Sequence, residues 1–115
     1  MSDKKRPYYY DAADLARFTE IKRTNPDLGN SYFEYYGKAM GPGALTEREK
    51  SLIALAVSHA LKCPYCIDAY SQACLEKGAD EEQMNEAVHV AAAMAAGITL
   101  VHGVQMMNKV DDLSI

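Results

Sequence analysis

The chain has 115 residues, enough for one domain around one core, and its make-up of 49% hydrophobic and 24% charged residues excludes an extensively disordered polypeptide. A formal net charge of −4, from 16 acidic against 12 basic residues, with no basic cluster beyond Lys4-Lys5-Arg6, gives no electrostatic footing for nucleic acid. The most apolar stretches, Leu52 to Leu61 and Ala87 to Val101, are each shorter than a bilayer crossing and each contains a histidine, so buried helices are expected rather than membrane spans.

Residues 1–10 are expected to form an N-terminal arm and residues 11–110 a single helical domain. Met1 to Pro7 leads into Tyr8, Tyr9 and Tyr10 rather than an apolar run, so no secretory signal is expected and a cytoplasmic location follows. Asp11, with Asp14 three residues on, marks a first helix whose apolar stripe is Leu15, Phe18 and Ile21. Thr24-Asn25-Pro26-Asp27 supplies a turn, a cap and a first-turn proline, which predicts a second helix from about Pro26 to Met40 with Tyr32, Phe33, Tyr35 and Tyr36 on more than one face. These tyrosines, with Tyr8 to Tyr10, suit subunit interfaces better than a substrate pocket, because tyrosine buries area while keeping its hydroxyl wet.

Gly41-Pro42-Gly43 breaks the chain, and Thr46 with Glu49 forms a capping box for a third, nearly apolar and central helix. Pro64 fits the first turn of a fourth helix that Gly78 stops, and Asp80 with Gln83 caps a fifth, rich in alanine. Gly97 is expected to kink or break that helix before a last one ending near Asn108. No useful β-type alternation occurs, so the fold class is all-α, with about five or six helices.

The chemistry points to Lys62-Cys63-Pro64-Tyr65-Cys66. In a reducing compartment, C-x-x-C reads as catalytic thiols or metal ligands rather than as a disulfide framework. With a helix starting at Pro64, Cys63 sits at the cap and Cys66 in the first turn, where unpaired N–H groups and the positive end of the dipole favour thiolate. One thiolate can attack a peroxide or disulfide and the other resolve it. Zinc would need further ligands from Cys74, His59, His89 and His102. Cys74 reads as a core residue, His59 and His89 as core or interface histidines, and His102, beside Gly103, as a candidate acid, base or ligand. No cofactor is expected.

From Leu45 to Asn108 the chain resembles the carboxymuconolactone decarboxylase and alkyl hydroperoxidase D superfamily. The resemblance rests on Leu52-Ile53-Ala54-Leu55-Ala56-Val57-Ser58, on Cys63-Pro64-Tyr65-Cys66, on the helix up to Lys77-Gly78 and on Glu86-Ala87. It implies an alkyl hydroperoxidase D-like helical bundle assembled as a homotrimer or homohexamer, with the site near subunit contacts. It also implies a peroxiredoxin-type oxidoreductase in which Cys66 attacks the hydroperoxide or disulfide, Cys63 resolves, and a lipoyl or thioredoxin-like dithiol donor restores the pair. The hydroperoxidase pattern has a His where this chain has Tyr70, whose hydroxyl can hydrogen-bond a thiolate or donate a proton but is a poor base at neutral pH, and a Glu where it has Ser51. Either the helix dipole activates Cys66 without a base, or His102, His89 or Glu49 supplies the relay from another direction, or the protein is weakly active. The Tyr-rich start and the ending from His89 look most like the arsenosugar biosynthesis-associated peroxidase-like branch. The alternative is a non-catalytic oligomeric binding or metal-binding protein that has lost the relay; a decarboxylase reading rests on fold analogy alone.

Overall fold

The strongest local signals set the helix boundaries. In the computed structural model, which describes residues 9–114, Thr46 Oγ1 accepts from the Glu49 N–H at 3.1 Å while Thr46 N–H donates to Glu49 Oε1 at 2.8 Å, closing the expected capping box. Asp80 and Gln83 form the second, at 2.8 and 3.1 Å. The order is a 3-10 helix Ala12–Arg23, then α1 Pro26–Met40, α2 Glu47–Ala60, α3 Pro64–Glu76, α4 Glu81–Val101 and α5 Gly103–Leu113. No strand occurs among the described residues, and the all-α expectation holds. Of the expected arm, residues 1–8 lie outside the described residues.

The first element is a 3-10 helix rather than an α-helix. Its apolar residues Leu15, Phe18 and Ile21 recur strictly every third position, as does the charged row Asp14, Arg17, Glu20 and Arg23, and a coil of three residues per turn keeps each row in line. Arg17 binds Glu20 Oε1 from Nε and Nη2 at 3.2 and 3.1 Å along the charged row. Phe18 meets Phe33 of α1 edge-on at 5.0 Å, and the backbones approach so closely that a Cβ on Gly29 would collide with Lys22. Lys50 of α2 reaches back to donate from Nζ to the carbonyls of Ala39 and Gly41, neutralising the negative end of α1.

α2 is central, packed against both α3 and α4. The core within one chain is nevertheless small. Leu55, Cys74 and Ala79 are 1%, 0% and 5% exposed, with Leu52, Tyr70 and Met84 packed around them. The buried helices expected from the apolar runs are covered on one side only: Ile53, Val57 and Leu61 of α2 and Val90, Met94, Ile98 and Val101 of α4 are all exposed.

Gly97 does not break α4, which runs through it to Val101; a lone glycine among good helix formers costs only about 1 kcal/mol. The turn falls at His102, and α5 continues past Asn108 to Leu113. Together α4 and α5 form a helical arm over residues 81–113, long and apolar enough by composition to cross a bilayer, with 6% of its most apolar window buried. α5 touches no described element but α4. The Cα radius of gyration is accordingly 19.8 Å, with extents of 70 × 39 × 31 Å, against roughly 13 Å for a compact chain of this length.

Candidate active site

Backbone hydrogen bonds fix Cys63 from two directions. α2 closes in a Schellman turn, in which Cys63 N–H donates to the Ser58 carbonyl at 3.1 Å and Lys62 N–H to the His59 carbonyl at 3.2 Å. The turn needs a left-handed residue at its second-last position, and Lys62 takes that role with φ 55°. α3 closes the same way on Gly78, φ 91°, where the N–H groups of Ala79 and Gly78 donate to the carbonyls of Cys74 and Leu75 at 2.9 and 3.2 Å. Cys63, the residue that completes the first turn, is also the N-cap of α3, with Pro64 in the opening position.

This placement aims the first N–H groups of α3 at sulfur. The Cys66 backbone N–H donates to Cys63 Sγ at 3.3 Å, and the two free, half-buried thiols share a hydrogen bond at 2.8 Å. Donation from the Cys66 thiol, then from its backbone N–H, draws Cys63 below the ordinary thiol range. Burial first, and the bond and charge of Cys63 second, push the Cys66 thiol up to about 11. The two shifts run in opposite directions, so Cys63 is the sulfur whose thiolate is favoured and Cys66 the one that holds its proton more firmly.

The residues expected to supply a relay lie in different surroundings. Tyr70 is a wall of the Leu55–Cys74–Ala79 core, with no hydrogen bond to either sulfur, and burial reinforced by Tyr32 raises its pKa, the wrong direction for a base near neutral pH. His102 is exposed at the α4–α5 turn and no hydrogen bond ties it to the thiols. Tyr70 thus sits one turn beyond Cys66 on α3 with its ring against the core, and His102 sits at the junction of α4 and α5. Glu49 is held by its capping box, His89 is exposed on α4, and His59 donates from Nδ1 to the Leu55 carbonyl at 2.9 Å, since a carbonyl can only accept. Ser51 is buried and its hydroxyl donates to the Arg48 carbonyl at 2.8 Å. Cys74 is fully buried beside Ala79. Among the described residues no three His, Cys, Asp or Glu side chains gather as a metal-ligand set.

Sequence reasoning passed over Tyr65, between the two cysteines. Its ring lies 5.5 Å from that of Tyr10 and walls an open cleft of about 590 Å³ along the 3-10 helix, with Leu15, Phe18 and Ile21 as apolar lining and Arg17 and Arg23 at its edge. Nothing in local periodicity links residue 10 to residue 65. Only a tyrosine inside the motif hinted at an aromatic neighbour.

Comparison with known proteins follows the same lines. The sequence profile of the carboxymuconolactone decarboxylase family matches residues 26–109, a span running from the start of α1 into α5. A relative from Paracoccus denitrificans, described as uncharacterized protein 4 in the cox locus, is 33% identical over 98 residues, covering 85% of this chain and 88% of its own. A crystal structure of a Methanobacterium thermoautotrophicum protein superposes with a TM-score of 0.71 at 31% identity, over 75% of this chain and 97% of that one. A carboxymuconolactone decarboxylase family protein of Legionella pneumophila, crystallised in its apo form, gives a TM-score of 0.62 at 24% identity over 89% and 98% of the two chains, a likeness of fold.

Proposed function

Because the chain belongs to the carboxymuconolactone decarboxylase family, and carries within that fold a dithiol at a helix start, we propose that it is a thiol-dependent peroxidase or disulfide reductase. The observation that carries this reading is the Cys63–Cys66 pair: two free sulfurs 2.8 Å apart, one at the N-cap and one in the first turn of α3. The pair reduces a hydroperoxide or a disulfide and becomes a disulfide, and an external dithiol of lipoyl or thioredoxin-like type returns it to the reduced form. With no histidine or carboxylate of the described residues hydrogen-bonded to either sulfur, the helix N-terminus and the second thiol do the activating.

The test is turnover of cumene hydroperoxide or a small aromatic disulfide with dihydrolipoamide as donor. Wild type is expected to turn over with the pair cycling, and Cys63→Ser and Cys66→Ser each to lose about 100-fold or more. Equal rates for wild type and the double Cys→Ser variant would sink the proposal. The competing reading, a binding or metal protein without catalysis, predicts stoichiometric zinc and thiols that do not cycle.

Assembly is part of the same proposal. The uncovered apolar side of α2, α4 and α5 supports a homotrimer or homohexamer, in which copies of the chain cover one another's arms.

A further inference from the structure

We propose that Cys63 is the attacking thiolate and Cys66 its protonated resolving partner, the reverse of the order implied by resemblance to the hydroperoxidases. The inference rests on the reading of this pair as the redox centre and adds the direction in which it fires.

The geometry separates the two sulfurs by position. Cys63 Sγ, at the N-cap, accepts the Cys66 backbone N–H at 3.3 Å, so the partial positive charge of the helix start falls on it. Cys66, one turn in, has its own N–H pointing at its partner's sulfur, and among the described residues no backbone N–H donates to its sulfur. A nucleophilic Cys66 would need a base beside it to take its proton. Tyr70, one turn further along α3, is packed into the core instead, and Ser51 is turned to the Arg48 carbonyl. The direction of the thiol pKa shifts agrees with the geometry: hydrogen bonds draw Cys63 below the ordinary thiol range, while burial pushes Cys66 up to about 11.

The chemistry then balances without a separate base. With a disulfide substrate, the Cys63 thiolate attacks one sulfur, the substrate S–S bond breaks and one thiolate leaves. Cys66 gives its proton to a leaving thiolate and attacks Cys63 Sγ, expelling the second fragment. Two electrons pass from the protein dithiol to the substrate, which departs as one thiol and one thiolate. With a hydroperoxide, Cys63 takes the terminal oxygen as a sulfenic acid and the O–O bond breaks. The alkoxide takes the Cys66 proton to leave as an alcohol, and the Cys66 thiolate condenses with the sulfenic acid, releasing hydroxide. In both cases Cys66 supplies the proton that a relay histidine would otherwise deliver.

The experiment is site-resolved labelling of the full-length reduced chain with limiting iodoacetamide near neutral pH, read by peptide mass spectrometry, alongside reaction of the single variants with an aromatic disulfide. Cys63 is expected to be alkylated at least about ten-fold faster than Cys66, one pKa unit of thiolate population being ten-fold. Cys66→Ser, which keeps a hydroxyl donor beside Cys63, is expected to trap a mixed disulfide on Cys63, and Cys63→Ser to react slowly or not at all. Labelling of Cys66 first, or a mixed disulfide trapped only in Cys63→Ser, overturns this order while leaving the redox centre standing. Absence of any disulfide exchange or peroxide consumption by wild type overturns both. The wild-type labelling needs no variant to fold, so a poorly folding substitution does not remove the test.

Discussion

Lys62 occupies the position that a glycine fills at the end of α3. Its φ of 55° is a conformation that L-residues adopt at a cost of about 1 to 2 kcal/mol, and it stands one residue before the thiol whose placement it determines. Lys62→Gly is therefore expected to stabilise the chain by about 0.5 to 1 kcal/mol, after the greater freedom of glycine in the unfolded state is deducted. Gly78→Ala is expected to cost about 1 kcal/mol; an added Cβ there meets nothing within 4 Å, so the backbone conformation alone sets the loss. Urea midpoints at fixed protein concentration check both, and a stabilised Gly78→Ala would contradict the account of these turns. Cys74, fully buried beside Ala79, belongs to packing: Cys74→Ala is expected to keep wild-type turnover while losing about 1 kcal/mol through the small void.

Helix ends carry a pH dependence that can be read element by element. In the α2 capping box the Thr46 N–H, and then the Thr46 hydroxyl, hold the Glu49 carboxyl below the usual carboxylate range. A carboxyl whose folded pKa lies below its unfolded value stabilises the fold at pH above the unfolded value, and that contribution is lost as pH falls through the folded one. Glu49→Gln keeps an acceptor for Thr46 but cannot titrate, so its helix content is expected to fall less steeply with acid than that of wild type below about pH 4.5. Parallel acid titrations by circular dichroism decide the point; superimposable curves would remove Glu49 from the acid response. The 3-10 helix is an element of a different kind. Its rows at every third residue suit a tight coil, and α1 approaches it closely enough to require Gly29.

At the scale of the molecule, the dominant fact is an arm with too little to pack against. Met94 and Ile98 are 64% and 59% exposed, while the fully buried large side chains among the described residues are Leu55 and Cys74. Burying a side chain such as isoleucine or methionine stabilises by about 1.5 to 3 kcal/mol, so the proposed assembly, in which further copies cover this face, would supply what the small core of one chain does not. Ile98→Glu removes no contact to the buried core cluster of its own chain and, on the proposed assembly, is expected to give smaller species with a lower Tm. Sedimentation velocity across a wide concentration range, with thermal melts, tests this; an unchanged assembly would place the interface elsewhere.

Local chemistry was legible in the residues themselves. The capping boxes at Thr46 and Asp80, the asparagine and proline opening α1 and the N-cap position of Cys63 each depend on side chains within about one turn, so spacing alone determined them. The C-x-x-C marked the candidate site for the same reason. What surrounds that site was decided only by tertiary structure. The packing of α3 on the Leu55 cluster set the Tyr70 ring against the core, and the length of α4 placed His102 at the turn into α5. Gly97 looked like a break, yet flanking helix formers outweighed its modest cost. A short-range hydrogen bond is specified by the few residues that make it, whereas the neighbours of a sulfur depend on how whole helices dock, and that docking is a sum of apolar contacts distant in sequence.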